Sequence, residues 1–353
     1  MCVFDAVVHP YNLDETNFAT EHARSITTML SRGNAGTSPE GYRLSTEDYE
    51  RDWGIDEVAT MSFVECYTDL AAYHVTPIRA FHDGVNSVEK GLEAQERWSD
   101  RFVFYVGVDP MEGDAALEDL ERQVELFHDP VGLKLYPNSW TAGEVRGWLM
   151  DDPEVAFPVF ERAAQLGIRT VAIHKALPLG PVELLHYRVD DIDRAAIAFP
   201  QLNFEIVHGG MAFLEETAWQ LARFDNVWVN LESTATMARR RPKAFEHAMA
   251  TLMRGPKSIE RILWGTGAMV AHPRPHLEAF AREFRFSDEL VEGGIVAQIT
   301  EDDKRAILGE NYARMHGIDL EARLAAIADD DFARRRGDEP APPYSTTRVS
   351  VLA

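Results

Sequence analysis

The stretch FPQLNFEIVHGG, Phe199–Gly210, decides the fold: a short, mostly apolar run over Phe204–Val207 ends on His208 and two glycines. A run of this length between helix-like segments reads as a buried strand, and the polar residue that ends it marks the strand's exit from the core. The same unit recurs. Runs at Val3–Val8, Val58–Val64, Phe102–Val108, Val131–Leu135, Arg169–Ile173, Phe204–Val207, Val227–Leu231 and Ile262–Trp264 give eight expected strands. Amphipathic stretches such as LEDLERQVELFHD, FPVFERAAQLG and EETAWQLARF lie between them, with Gly33 and Gly167 where helices are expected to stop. This alternation predicts parallel strands joined by crossover helices. No GxGxxG follows the first strand, so the expected α/β fold is a closed (β/α)8 TIM barrel and not an open doubly wound sheet.

The 353 residues suit one barrel domain over 1–325 with a tail over 326–353. The long polar segment 12–56 after the first strand reads as a lid, with surface elaboration as the alternative. The prolines and small polar residues of DEPAPPYSTT predict an extended tail and not packed structure. A net charge of -23 argues against nucleic acid and anionic membrane as partners. Only Cys2 and Cys66 occur, outside any CxxC pair, which excludes a disulfide framework or zinc finger. With no signal-peptide pattern and no long apolar run, a cytoplasmic location is expected.

In a parallel barrel, chemistry sits where strands end. His9, Glu65, His174, His208 and Glu232 all end expected strands, with Asn230 two residues before Glu232. Any one of them has an ordinary explanation as a hydrogen-bonded core or rim residue. Their recurrence at one end of successive strands points instead to imidazole and carboxylate ligands for zinc, manganese or iron.

These motifs resemble the amidohydrolase superfamily, in its branch related to aminocarboxymuconate semialdehyde decarboxylase. The resemblance rests on FDAVVH, VGLKLYP, AIH, FPQLNFEIVHGG, DNVWVNLES, RILWGTG and AILGENYARMHGIDL. His174 and His208 match family ligand positions. The branch expects D-x-H-x-H on strand one, whereas Asp5 and His9 here flank Val7; it expects G-S-D after strand eight, where this chain has Gly265, Thr266 and Gly267. A histidine ligand and the aspartate that serves as ligand and general base are therefore missing.

Three histidines with Glu65 and Glu232 make an oxygen-richer set, better suited to two bridged ions than to one. This pattern is similar to a small group of amidohydrolase-like barrels of platensimycin and platencin biosynthesis that act as non-haem diiron monooxygenases. That resemblance implies two Fe ions, dioxygen as co-substrate, an electron donor, and hydroxylation of a C–H bond in a diterpenoid coenzyme A ester. The alternative is a hydrolase or non-oxidative decarboxylase with Zn or Mn, and the last reading is a metal-free binding protein. Asp5, Lys134 and Asn230 are expected to support the ligands, with Glu205 and His272 as further candidates. Arg239, Arg240, Arg241 and Lys243 form a basic cluster suited to coenzyme A phosphates, a solvated helix start being the ordinary alternative. A homodimer is also compatible with the chain.

Overall fold

The computed structural model describes all residues except Gly210, Asp338, Arg348, Ser350 and Ala353, and only the backbone of Val351 and Leu352. Eight parallel strands run in sequence order around one sheet: β1 (Phe4–Val8), β2 (Leu70–His74), β3 (Phe102–Gly107), β4 (Gly132–Leu135), β5 (Thr170–His174), β6 (Asn203–Val207), β7 (Val227–Asn230) and β8 (Ile262–Leu263). The sheet curls until its edges meet. Ala6 N–H donates to the Trp264 carbonyl at 2.9 Å, and Val8 bridges Ala268 in parallel register. Asp5, wholly buried on β1, accepts from the Thr266 amide at 2.9 Å and from the Thr266 hydroxyl, which pins the seam where β1 faces the end of β8. Burial raises the Asp5 carboxyl to about 6 against these hydrogen bonds.

Crossover helices form because their apolar positions fall on one face. In α1 (His22–Thr37), within the insertion, Ala23, Ile26 and Thr27 are buried while Arg24 and Ser25 face out. Gly167 ends its helix at φ +87°, as a left-handed stop requires. Gly33 does not stop one; it lies inside α1, where its backbone needs no left-handed angle. Inside the barrel, Phe4, Tyr105, Trp228, Leu263 and Tyr312 pack together, with the Phe4 and Tyr312 rings 4.3 Å apart. Among the described residues no helix is long and apolar enough to cross a membrane.

The second strand differs from expectation. Val58–Val64 lies in α2 (Ile55–Thr60) and the wide helical turn Met61–Glu65 that continues it, buried throughout. An apolar run buried on all sides has no period to separate strand from helix. The true strand, Leu70–His74, contains two alanines, which are poor strand formers. Glu65 therefore ends a helix, and its buried carboxylate holds the C-terminal tail. One oxygen accepts the Tyr344 amide at 2.8 Å and His272 Nε2–H at 2.9 Å; the other accepts the Ser345 amide at 2.7 Å and the Ser345 hydroxyl. Arg274 donates to the Ala341 carbonyl at 2.7 Å and to the Tyr42 hydroxyl at 2.7 Å. The tail, expected to be loose, is irregular but docked: Tyr344 is buried, and Val351–Leu352 pairs antiparallel with Arg43–Leu44 of the insertion.

Burial pushes the Glu65 carboxyl up, but the hydrogen bond and charge of His272 and the bonds from Ser345 outweigh it and leave the group below its ordinary value. A depressed carboxylate contributes stability above the unfolded value of about 4.3 and loses it as pH falls through the lower folded value. Tail docking is thus expected to persist at pH 5 and fail only in more acidic solution, read as protection of the Tyr344 and Ser345 amides in hydrogen exchange corrected for intrinsic rate. Glu65→Ala strands two amide donors and is expected to lower stability by about 3 kcal/mol in urea melts; unchanged stability would contradict the anchoring role.

Candidate functional site

At the C-terminal end of the strands a cavity of about 230 Å³ opens between the barrel mouth and α1. His9, His174, His208 and Glu232 line one end of it, whereas Glu65 and His272 do not. His174 is the last residue of β5, His208 follows β6, and Glu232 lies two residues beyond β7. The backbone is forced around them. Ala176, His208 and Ser233 adopt left-handed φ angles of 60°, 65° and 61°, uncommon for residues with a Cβ and typical of sites where strain serves function.

Hydrogen bonds constrain the tautomers. His174 Nε2–H donates to the Leu177 carbonyl at 2.8 Å, so Nδ1 carries a lone pair. His208 Nδ1 lies 3.3 Å from the Glu232 carbonyl and 3.6 Å from its carboxyl, while Nε2 lies 2.9 Å from His174 Nδ1, so the His208 proton has an acceptor on either side. With the proton on Nε2 the two rings share a hydrogen bond to His174 Nδ1 at 2.9 Å; with it on Nδ1 both facing nitrogens are lone-pair donors to a cation. Burial holds both imidazoles below their ordinary value, His174 at about 3, so both rings are neutral at neutral pH.

The remaining candidates occupy different roles. The Asn86 amide donates to His9 Nδ1 at 2.7 Å, which leaves the His9 proton on Nε2, 4.0 Å from the Glu232 carboxylate; His9 presents an N–H there, not a lone pair. Asp5 serves the seam and not the orientation of His9. Asn230 accepts the Glu232 amide at 2.8 Å and donates to Glu205 at 2.6 Å, and Tyr105 donates to the other Glu205 oxygen at 2.8 Å. Glu205 is therefore held beneath the mouth. Lys134 is fully buried and its Nζ lacks a hydrogen-bond partner, but its charge acts on both Glu232 and Glu205. Burial raises the Glu232 carboxyl to about 7, Lys134 opposing this and Asp5 and Glu205 adding to it. One Glu232 oxygen is buried without a hydrogen-bond partner.

His74, which ends β2, was not singled out by the sequence because the second strand was placed too early; DLAAYHV does show an apolar run closed by a histidine. Its ring stacks on Tyr105 at 4.0 Å, and neither ring nitrogen has a hydrogen-bond partner. The basic cluster lies away from the cavity. Arg239 pairs with Glu283 at 3.3 Å and Lys243 with Glu246 at 2.8 Å, while Arg240 and Arg241 are exposed. Among the described residues no group of three His, Cys, Asp or Glu side chains stands ready as a metal cage. The structure thus offers two facing nitrogens, and the Glu232 oxygen that lacks a hydrogen-bond partner among the described residues lies on the other side of the His208 ring, 3.6 Å from Nδ1.

Gly267, where the resemblance expects an acid, is what makes room for Glu232. A Cβ there would lie 2.4 Å from the Glu232 carboxylate oxygen, and φ is +62°. Gly267→Ala is expected to displace Glu232 and to destabilise the fold by more than the 1–2 kcal/mol or so of left-handed backbone strain. Adding Glu232→Ala should recover the excess in a double-mutant cycle by urea denaturation; strictly additive effects would contradict the contact.

Three comparisons bear on ancestry. Residues 83–318, well over half of the chain, match the family described as Amidohydrolase. An uncharacterized TIM-barrel protein from Bordetella bronchiseptica superposes with TM-score 0.63 at 15% identity, covering 92% of this chain and 100% of that one. The 5-carboxyvanillate decarboxylase of Sphingomonas paucimobilis gives TM-score 0.56 at 16% identity, covering 90% and 99%. A 2,6-dihydroxybenzoate decarboxylase from Rhizobium gives 0.54 at 14%, also covering 90% and 99%. No curated protein matches the sequence. With its closed eight-stranded barrel and strand-end histidines, the chain belongs to the amidohydrolase family.

Proposed function

We propose that this chain is a redox-neutral enzyme, a hydrolase or non-oxidative decarboxylase, acting on a small molecule in the cavity beside His174, His208 and Glu232. The observation that carries this reading is the 2.9 Å approach of His174 Nδ1 and His208 Nε2 in a cavity that Glu232 also lines. His174 Nδ1 and His208 Nε2 would hold one divalent ion, Mn or Zn. Bound there, such an ion supplies Lewis-acid polarisation of a substrate oxygen.

The protein's own groups do the rest. Glu232 is the proton carrier: desolvation brings its carboxyl close to neutrality, where it can both give and take a proton. His9 presents Nε2–H toward that carboxylate, and Asn230 fixes the Glu232 backbone. Lys134 lies beneath and limits how far the carboxyl rises. The apolar cavity wall excludes water from the reacting group. Glu65, the carboxylate expected to help hold a second iron, is instead occupied by the tail and His272.

Titration of the metal-free protein with Mn or Zn is expected to give one ion per chain, with His208→Ala weakening it at least tenfold. Glu232→Gln is expected to lower turnover by about 10²–10⁴-fold. Turnover should continue without dioxygen and place solvent ¹⁸O or solvent deuterium in the product. Two irons per chain with strict need for dioxygen and a reductant would overturn the reading.

A further inference from the structure

The cavity also specifies what enters it. We infer that the substrate is a compact, largely apolar molecule with a single polar head, carrying no phosphate and no second anionic group. This rests on the reading above that His174, His208 and Glu232 receive the reacting group.

Size comes first. The cavity, about 230 Å³, exceeds the roughly 150 Å³ of an engineered apolar cavity that binds benzene. It therefore suits a skeleton of one to two fused rings, and the nucleotide of a thioester would have to lie outside it. Polarity is also divided. The histidines and Glu232 gather at one end, and Ile26, Met29 and Leu30 of α1 form an apolar wall with Leu179, Met211 and Val270.

Charge completes the argument. The chain has 35 lysines and arginines, yet among the described residues none lines this cavity. Lys134, the buried cation beneath it, acts on Glu232 and Glu205, and the cluster around Arg239 lies outside. One anionic head can be met by the divalent ion that His174 and His208 would hold; a second would be buried without a counter-charge or a guanidinium fork.

Gly33 offers a clean probe. It lines the cavity from within α1, and a Cβ there meets nothing closer than Val270 at 3.8 Å. Gly33→Leu should fill the cavity without a backbone clash and with better helix propensity; Leu30→Trp is a second filling variant. Calorimetric titration of the full chain would use four probes: 1-naphthoate, methyl 1-naphthoate, naphthalene-1,4-dicarboxylate and 1-naphthoyl-coenzyme A. The first two are expected to bind, and the last two at least tenfold more weakly. Either filling variant should weaken the first two at least tenfold while melting like the parent. Binding of the dicarboxylate or thioester as tight as that of the monoacid, no binding of any probe, or indifference to both filled cavities would overturn the inference. Dioxygen-dependent turnover of a compact apolar compound would defeat the redox-neutral reading and leave this one standing; oxygen-independent turnover of a thioester would do the reverse.

Discussion

The seam between β1 and β8 is the constraint on which the rest of the molecule depends. Asp5, desolvated inside the barrel, keeps its place through two hydrogen bonds from Thr266, and the Ala6 amide completes the join at Trp264. Removing either partner would leave a buried polar group unmatched, so the seam is strongly specified. Its closure brings His9, which follows β1, across from Gly267 and the Glu232 carboxylate. A short irregularity in the β1–β2 register, between Asp5 and Val8, adjusts the direction in which β1 leaves the barrel. The mouth is thus a product of closure and not of any one strand.

Within that mouth, chemistry has been redistributed. Valine at position 7 and glycine at position 267 offer no donor, and the space above Gly267 is taken by a carboxylate from the neighbouring strand. Left-handed backbone at His208 and Ser233 shapes the turns that carry the imidazole and follow the carboxylate. The insertion supplies the opposite wall through α1, and the tail pairs with Arg43–Leu44 just beyond that helix. Glu65 is the link between tail and barrel, a structural duty for a carboxylate whose position in the sequence suggests metal binding.

What the sequence makes legible follows from physical contrast. Strands such as Phe204–Val207 stand out because an apolar run ends sharply on a polar residue, and His174, His208 and Glu232 are readable for the same reason. The second strand is not readable in this way. A fully buried helix, Val58–Val64, imitates a strand, while the alanine-containing strand that follows is weakly marked, so the pattern points to Glu65 for the mouth and passes over His74. Hydrogen-bond partners far apart in the chain leave no local pattern. Asn86 on His9 and the tail on Glu65 emerge only in the folded protein.

Anomalous diffraction from crystals grown with manganese or zinc tests the proposed cation seat between His174 and His208 most directly. One anomalous peak between His174 Nδ1 and His208 Nε2 is the expected result. Two peaks in the mouth, or a peak bound by Glu65, would contradict it.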